Sequence, residues 1–275
     1  VSANATVAPV SVPVVAAAPE VAATNVSSVA GVGGKVTITG NQVNLEGASK
    51  TTATGSFGGG SVAVSASKNI AVKAGALVDA SAGIRGNGGV IMLSASSINL
   101  DGQLIAKGGT QSGNGGKINT VSSVIAVSPT SFVDAGAQSA NGEAGEFNVT
   151  TSALTVDQTF AGFLSRAIDT TKVNLSALKE VCIAFGGCTA NQSGSINVLA
   201  GASITKVSDS HTSLMMNAEG SLNIEGSILG ANTTPLNVIL QSNTSVVVAA
   251  FASVRAENIR ISAPTIEDSG SLFAY

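Results

Sequence analysis

The residues of this chain that could do chemistry are few and scattered. Two cysteines lie in the run Cys182-Ile-Ala-Phe-Gly-Gly-Cys188. In an exported chain the first reading of such a pair is a small disulfide-closed loop, with Gly186-Gly187 letting the turn close. So short a ring removes little chain entropy, so it would fix local shape more than overall stability. A zinc site is the second reading, but two sulfurs and one distant histidine do not fill a four-ligand shell without carboxylates. A thiol nucleophile is the third, and no neighbouring residue type supports it. The sole histidine, His211, sits in the polar run Lys206-Val-Ser-Asp-Ser-His-Thr-Ser. Asp209, Ser210 and His211 name the members of a triad, yet consecutive residues do not converge as one and no nucleophile elbow is present.

The carboxylates are equally dispersed. Polysaccharide-cleaving sites need clustered acids or a basic residue in a groove. Asp79 and Asp134 hold matching places in two repeats, but the repeat between them is expected to carry Ala106 there. Asp101 falls earlier in its repeat, Glu143 and Glu146 flank a turn, and Glu267-Asp268 lie near the end. Gly58-Gly59-Gly60 and Gly86-Asn87-Gly88-Gly89 resemble phosphate loops, but they precede strand-like runs rather than helices, and no P-loop Lys-Ser/Thr follows. The expectation is therefore a protein that is not an enzyme, with no cofactor and no metal.

Composition shows what could position such residues. The 275-residue chain is 44% hydrophobic and only 11% charged, against about 25% charged in ordinary soluble domains. Aromatics make up 3%, with no Trp and one Tyr, while Gly numbers 32. Val, Ile, Leu and Ala dominate the apolar content, which suits a narrow core of pleated strands joined by tight turns. A net charge of −3 and the lack of a basic stripe argue against nucleic acid as a partner. No apolar run approaches the roughly 20 residues of a membrane-spanning helix. No signal peptide opens the sequence, so if the protein is secreted, Val1 is expected to start a mature or trimmed form or an excised fragment.

A repeat organises the middle of the chain. Four blocks begin Gly59-Gly60-Ser-Val-Ala-Val, Gly88-Gly89-Val-Ile-Met-Leu, Gly115-Gly116-Lys-Ile-Asn-Thr and Ala144-Gly145-Glu-Phe-Asn-Val, so the last glycine moves from 60 to 89 to 116 to 145. A second short strand follows in each block, and in the first three a third follows, at 76–80, 103–107 and 131–135. Three short strands per turn describe a parallel β-helix, a solenoid whose coils bury their apolar faces against neighbours. The expected inward positions are Val62, Val64, Ile70, Val72, Ile91, Leu93, Ile98, Leu100, Phe147 and Val149.

The form hydrophobic-x-Asp/Ala-Ala-x-Gly, then Gly-Asn-Gly-Gly-x-[VI]-x-[VL], is clearest in Leu77–Leu93 and Leu104–Ile118. It resembles the rungs of two-partner-secretion exoproteins, the filamentous-haemagglutinin-like and high-molecular-weight adhesin-like group. Phe163-Leu-Ser-Arg-Ala-Ile-Asp-Thr-Thr-Lys-Val-Asn-Leu175 is similar to that group's helix-then-strand insert, ahead of a rung such as Gly194-Ser-Ile-Asn-Val198. The resemblance covers residues 31 to 261. It implies a right-handed β-helix, export through an outer-membrane secretion pore, and adhesion or a matrix role; the group's amino-terminal secretion domain is not evident.

The expected organisation is a Pro/Ala-rich extended segment over 1–30, regular rungs over 31–160, an irregular insert with a short helix and the cysteine loop over 161–193, and continuing rungs over 194–275. The first segment is read as a linker or as an intersubunit strand, with Val7, Val10, Val12, Val14 and Val15 as its contacts. The expected function is that of a secreted adhesin or extracellular biofilm-matrix scaffold at the cell surface, binding a host or bacterial surface glycan or protein, or a matrix polysaccharide. A self-assembling filament subunit, joined through the first segment or the solenoid ends, is the alternative. A carbohydrate-active β-helix enzyme is the second alternative.

Overall fold

A computed structural model describes residues 10–12, 20–25, 31–181, 193–231 and 235–275. The chain divides into two compact units, residues 1–120 with 130–147, and residues 121–129 with 148–275. Each is a parallel β-solenoid.

The first unit opens with β1 (Val10–Val12) and β2 (Glu20–Asn25), followed by β3 (Lys35–Thr52), β4 (Ser61–Val72), β5 (Leu77–Asp79), β6 (Val90–Leu100) and β7 (Gln103–Ile105). It contains the start of β8 (Lys117–Val127), all of β9 (Phe132–Asp134) and the start of β10 (Glu146–Thr151). Strand β3 pairs with β4 and β4 with β6, always parallel, which places Val36, Val62 and Ile91 in one inward column and Ile38, Val64 and Leu93 in the next. Val43, Ile70 and Ile98 form a third, and Leu45, Val72 and Leu100 a fourth. All twelve are at most 1% exposed. The ten expected inward residues are buried without exception.

The first two short strands of each coil run together as one long strand. The ladder is interrupted rather than ended, by register shifts between Gly40 and Gln42 and between Ser65 and Asn69. A bulge bends a strand without terminating its pairing, so the corner needs no separate loop. The third strands stack as β3's last residues, β5, β7 and β9.

Glycine at the remaining corner is required by close approach. Gly60 N–H donates to Ala53 O, Gly89 N–H to Ala80 O, Gly116 N–H to Ala106 O and Gly145 N–H to Ala135 O, at 2.7 to 2.8 Å, closing each coil on itself. A Cβ placed on Gly59 would lie 1.9 Å from Ala80 O and 2.2 Å from Gly89 N, both backbone atoms. No side chain fits there.

The second unit continues from β11 (Leu154–Val156) through α1 (Gln158–Ile168) to β12 (Lys172–Ala177), β13 (Ile196–Val198), β14 (Ser203–Lys206), β15 (Thr212–Ala218), β16 (Leu222–Ile224) and β17 (Ser227–Gly230). It ends with β18 (Leu236–Ser242), β19 (Ser245–Val248), β20 (Ser253–Ala256), β21 (Asn258–Ser262), β22 (Thr265–Asp268) and β23 (Ser271–Ala274). Here the coil does have three separate strands. They stack as β12-β15-β18-β21, β11-β13-β16-β19-β22 and β14-β17-β20-β23.

The expected short helix is α1. Asp157 caps it, its carboxylate accepting from Phe160 N–H at 2.8 Å. Phe160, Phe163, Leu164, Ala167 and Ile168 face inward, and the two rings meet edge-on with centroids 5.8 Å apart. The helix follows β11 in the place where a third strand would run and packs against β14. It thus covers the edge of that sheet. Thr205 N–H donates to Ser165 Oγ at 2.9 Å, and Val207 and Ser208 N–H both donate to Asp169 Oδ1. An uncovered edge would leave these amides as a pairing template.

Candidate functional site

Cys182 and Cys188 lie outside the described residues, as do Val7, Val14 and Val15. Val10 and Val12 belong to β1, which pairs in parallel with β3 of the same chain, Val10 opposite Val36 and Val12 opposite Ile38.

Strand register places each carboxylate. Between Asp79 and Asp134 stands Ile105, not Ala106. The ladder runs one residue earlier than the sequence alignment suggests, because Leu104 rather than Ile105 takes the inward place between Val78 and Val133. Both acids serve their own turns. Asp79 Oδ1 accepts from Ser81 N–H at 2.8 Å, and Asp134 Oδ1 from Gly136 N–H at 2.8 Å. Asp134 Oδ2 also meets Lys107 Nζ at 2.7 Å. Glu146 pairs with Lys117 at 3.0 Å on the surface. A shallow groove of about 280 Å³ lies beside Asp79, lined by Thr54, Gly55, Ser56, Ser81, Ala82 and Gly83. It presents one carboxylate, already engaged, where hydrolysis of a glycosidic bond needs two.

The Asp209-Ser210-His211 run is exposed, and the Ser210 hydroxyl donates to the Asp169 carbonyl at the end of α1. The residue of interest beside it is Lys206, which sequence reading leaves in a polar turn. Ile204 and Lys206 both point inward along β14, and Lys206 is wholly buried. Its register partner on the next rung is Gly230. The ammonium donates to Ser208 O at 2.8 Å and Ser208 Oγ at 2.7 Å, and reaches Ser210 Oγ at 3.4 Å. Burial pushes the Lys206 amine below the usual lysine range, opposed by the carboxylates of Asp169 and Asp209. Ser208 and Ser210 in turn donate to Asp169 O, and Thr212 Oγ1 donates to Ile168 O at 2.7 Å. These are the carbonyls a helix end leaves without partners. The cluster therefore latches the 206–212 turn onto α1. Alternation from Ile204 was the signal that could have found it.

Outward asparagines stack in pairs across neighbouring rungs of both units, beside exposed apolar residues such as Val90, Met92 and Val124. In the first unit Asn69 Oδ1 accepts from Ser97 Oγ at 2.9 Å and Asn99 Nδ2 at 3.3 Å. In the second, Asn174 donates to Asn148 at 2.7 Å, Asn223 to Asn197 at 2.7 Å and Asn258 to Asn237 at 2.8 Å. Such stacked amides add side-chain hydrogen bonds to the backbone ladders and fix register. Among the described residues, no group of three or more His, Cys, Asp or Glu side chains could hold a metal, and no helix is long and apolar enough to cross a membrane. No protein-family model matches the chain, and no curated protein matches it.

Proposed function

We propose that this chain is a surface-binding scaffold: a secreted bacterial adhesin or biofilm-matrix protein that acts by presenting its outer faces, without catalysis. The observation that carries this reading is how the ionisable and hydroxyl side chains are employed. Asp79, Asp134, Asp157, Asp169 and Lys206 are spent on turns, caps and a helix latch. Pairs of outward asparagines stack across neighbouring rungs, as Asn148 with Asn174, Asn197 with Asn223 and Asn237 with Asn258, which suits contact over a face rather than attack at a point. The rung motif that resembles two-partner-secretion exoproteins supports export through an outer-membrane pore and localisation at the cell surface.

The test is attachment. Beads coated with the purified chain are to be counted on epithelial monolayers and on preformed biofilm, against albumin-coated beads. Saturable attachment that soluble chain competes away supports the scaffold. Attachment no greater than albumin overturns it.

A further inference from the structure

Three Asn-Gly pairs stand in the first unit, at Asn87-Gly88, Asn114-Gly115 and Asn141-Gly142. Their even spacing would put all three in one column. The structure joins only the first two to it. Asn87 Oδ1 accepts from Asn114 N–H at 2.9 Å, and Asn114 Oδ1 accepts from Glu143 N–H at 3.0 Å. The following glycines are held by the same neighbours: Gly88 N–H donates to Asn114 O at 2.9 Å and Gly115 N–H to Glu143 O at 2.8 Å. The third place in the column therefore belongs to Glu143, and Asn141 falls short of it. Backbone conformation differs as well. Gly86 and Gly113, just before the first two asparagines, have φ of 87° and 125°, while Ala140 precedes the third. Alanine does not enter that region readily. Asn141 sits instead in a turn closed by Gly142 N–H donating to Ser139 O at 3.1 Å.

All three asparagines are exposed, so contact with solvent does not separate them. Engagement does. The Asn141 carboxamide has no hydrogen-bond partner among the described residues. Asparagine before glycine can close on its own backbone, because no side chain on the next residue hinders the approach of its nitrogen. The Gly142 amide loses its proton to hydroxide, and its nitrogen bonds to Asn141 Cγ. The Cγ–Nδ2 bond breaks and ammonia leaves. Water then opens the five-membered imide at either carbonyl, leaving an aspartyl or an isoaspartyl residue at position 141. One amide and one water have become a carboxylate and ammonium, with nothing oxidised or reduced. At Asn141 this motion needs only the turn bond to Ser139 to open. At Asn87 and Asn114 it needs the carboxamide bond and the rung-to-rung bond of the next glycine to break together, a larger opening.

We infer that Asn141-Gly142 is a self-modifying site, deamidating without an enzyme while the Asn87 and Asn114 ladder is protected. The product adds a negative charge to the corner that already carries Glu143, on a turn outside the ladder.

The experiment incubates the full chain at mildly alkaline pH, folded in buffer and, in parallel, unfolded in urea. Peptide mass spectrometry follows deamidation at each Asn-Gly pair, with fragmentation that separates aspartyl from isoaspartyl products. In the folded chain Asn141 should convert at least about tenfold faster than Asn87 or Asn114, as an opened turn against a held ladder, and isoaspartyl should appear. In the unfolded chain the three pairs should convert at similar rates. Asn141→Gln, whose longer side chain does not form the five-membered ring, should leave the folded chain without a fast site. Asn141→Asp should melt with the parent. Four results would each overturn the inference: Asn141 as slow as the other two in the folded chain, Asn87 or Asn114 keeping pace with it, Asn141 alone remaining fast after unfolding, or Asn141→Asp melting well below the parent.

Discussion

The two units solve the same problem with different parts. In the first, the columns step from Val36 to Val62 to Ile91 and from Val78 to Leu104 to Val133, and glycine corners let carbonyls pass where no side chain fits. In the second, the steps shorten from Ile196 to Leu222 to Val246 to Ile266. One turn there carries Phe251 at a positive φ, and α1 takes one strand's place. A Cβ on Gly59 meets backbone at 1.9 Å, whereas a Cβ on Gly201 has nothing within 4 Å. Glycine is thus demanded by contact at Gly59 and by conformation at Gly201, though close backbone approach recurs in the second unit, where a Cβ on Gly226 would meet Ala202 O at 2.3 Å.

The sharpest way to break this contrast is to remove packing from the second unit. Phe163→Ala deletes a fully buried ring under α1 and should cost about 3–5 kcal/mol. Chemical denaturation gives the magnitude, and hydrogen exchange should show the loss of protection in β12 and β14. Loss confined to the first unit would contradict the assignment. Gly59→Ala should cost the first unit roughly 1–3 kcal/mol by overpacking against backbone. Gly201→Ala should cost only about 1–2 kcal/mol, from its positive φ alone. Equal costs would remove the distinction between the two corners.

Lys206 sharpens the comparison by pH. Its folded-state amine is held below the usual range, so between that lowered value and the ordinary 10.5 the unfolded chain binds more protons than the folded one. Stability contributed by this group therefore rises with pH through that window, and the burial penalty is fully present below it. Lys206→Met should flatten the rise, measured as the midpoint of urea unfolding at successive pH values. An unchanged slope would show that the lysine does not titrate as its burial demands. Asp157→Ala removes the helix cap and should cost about 1 kcal/mol, the smallest of these effects.

Much of the first unit is legible in its sequence because one residue spacing repeats there and strand alternation is strict. That is enough to place Val62, Ile91 and Leu100 inside. The shift from Ala106 to Ile105 escapes because coils of unequal length offset an alignment by one residue. The fused strands escape because a bulge bends the chain without interrupting its polar and apolar alternation. Lys206 escapes because a charged residue at an inward place breaks the pattern by which inward places are recognised. Phe251 stands out once the turns Ala-Gly-Ala and Ala-Phe-Ala are laid side by side, and that match needs the turn geometry to give it meaning.

The central claim is that the outer faces bind and do not cut. The most direct measurement incubates chain-coated beads with biofilm matrix, counting attached beads while assaying the medium for new reducing sugar ends. The account predicts saturable attachment with no release of reducing ends above the albumin control. Release that grows with time, or beads that attach no better than albumin, would contradict it.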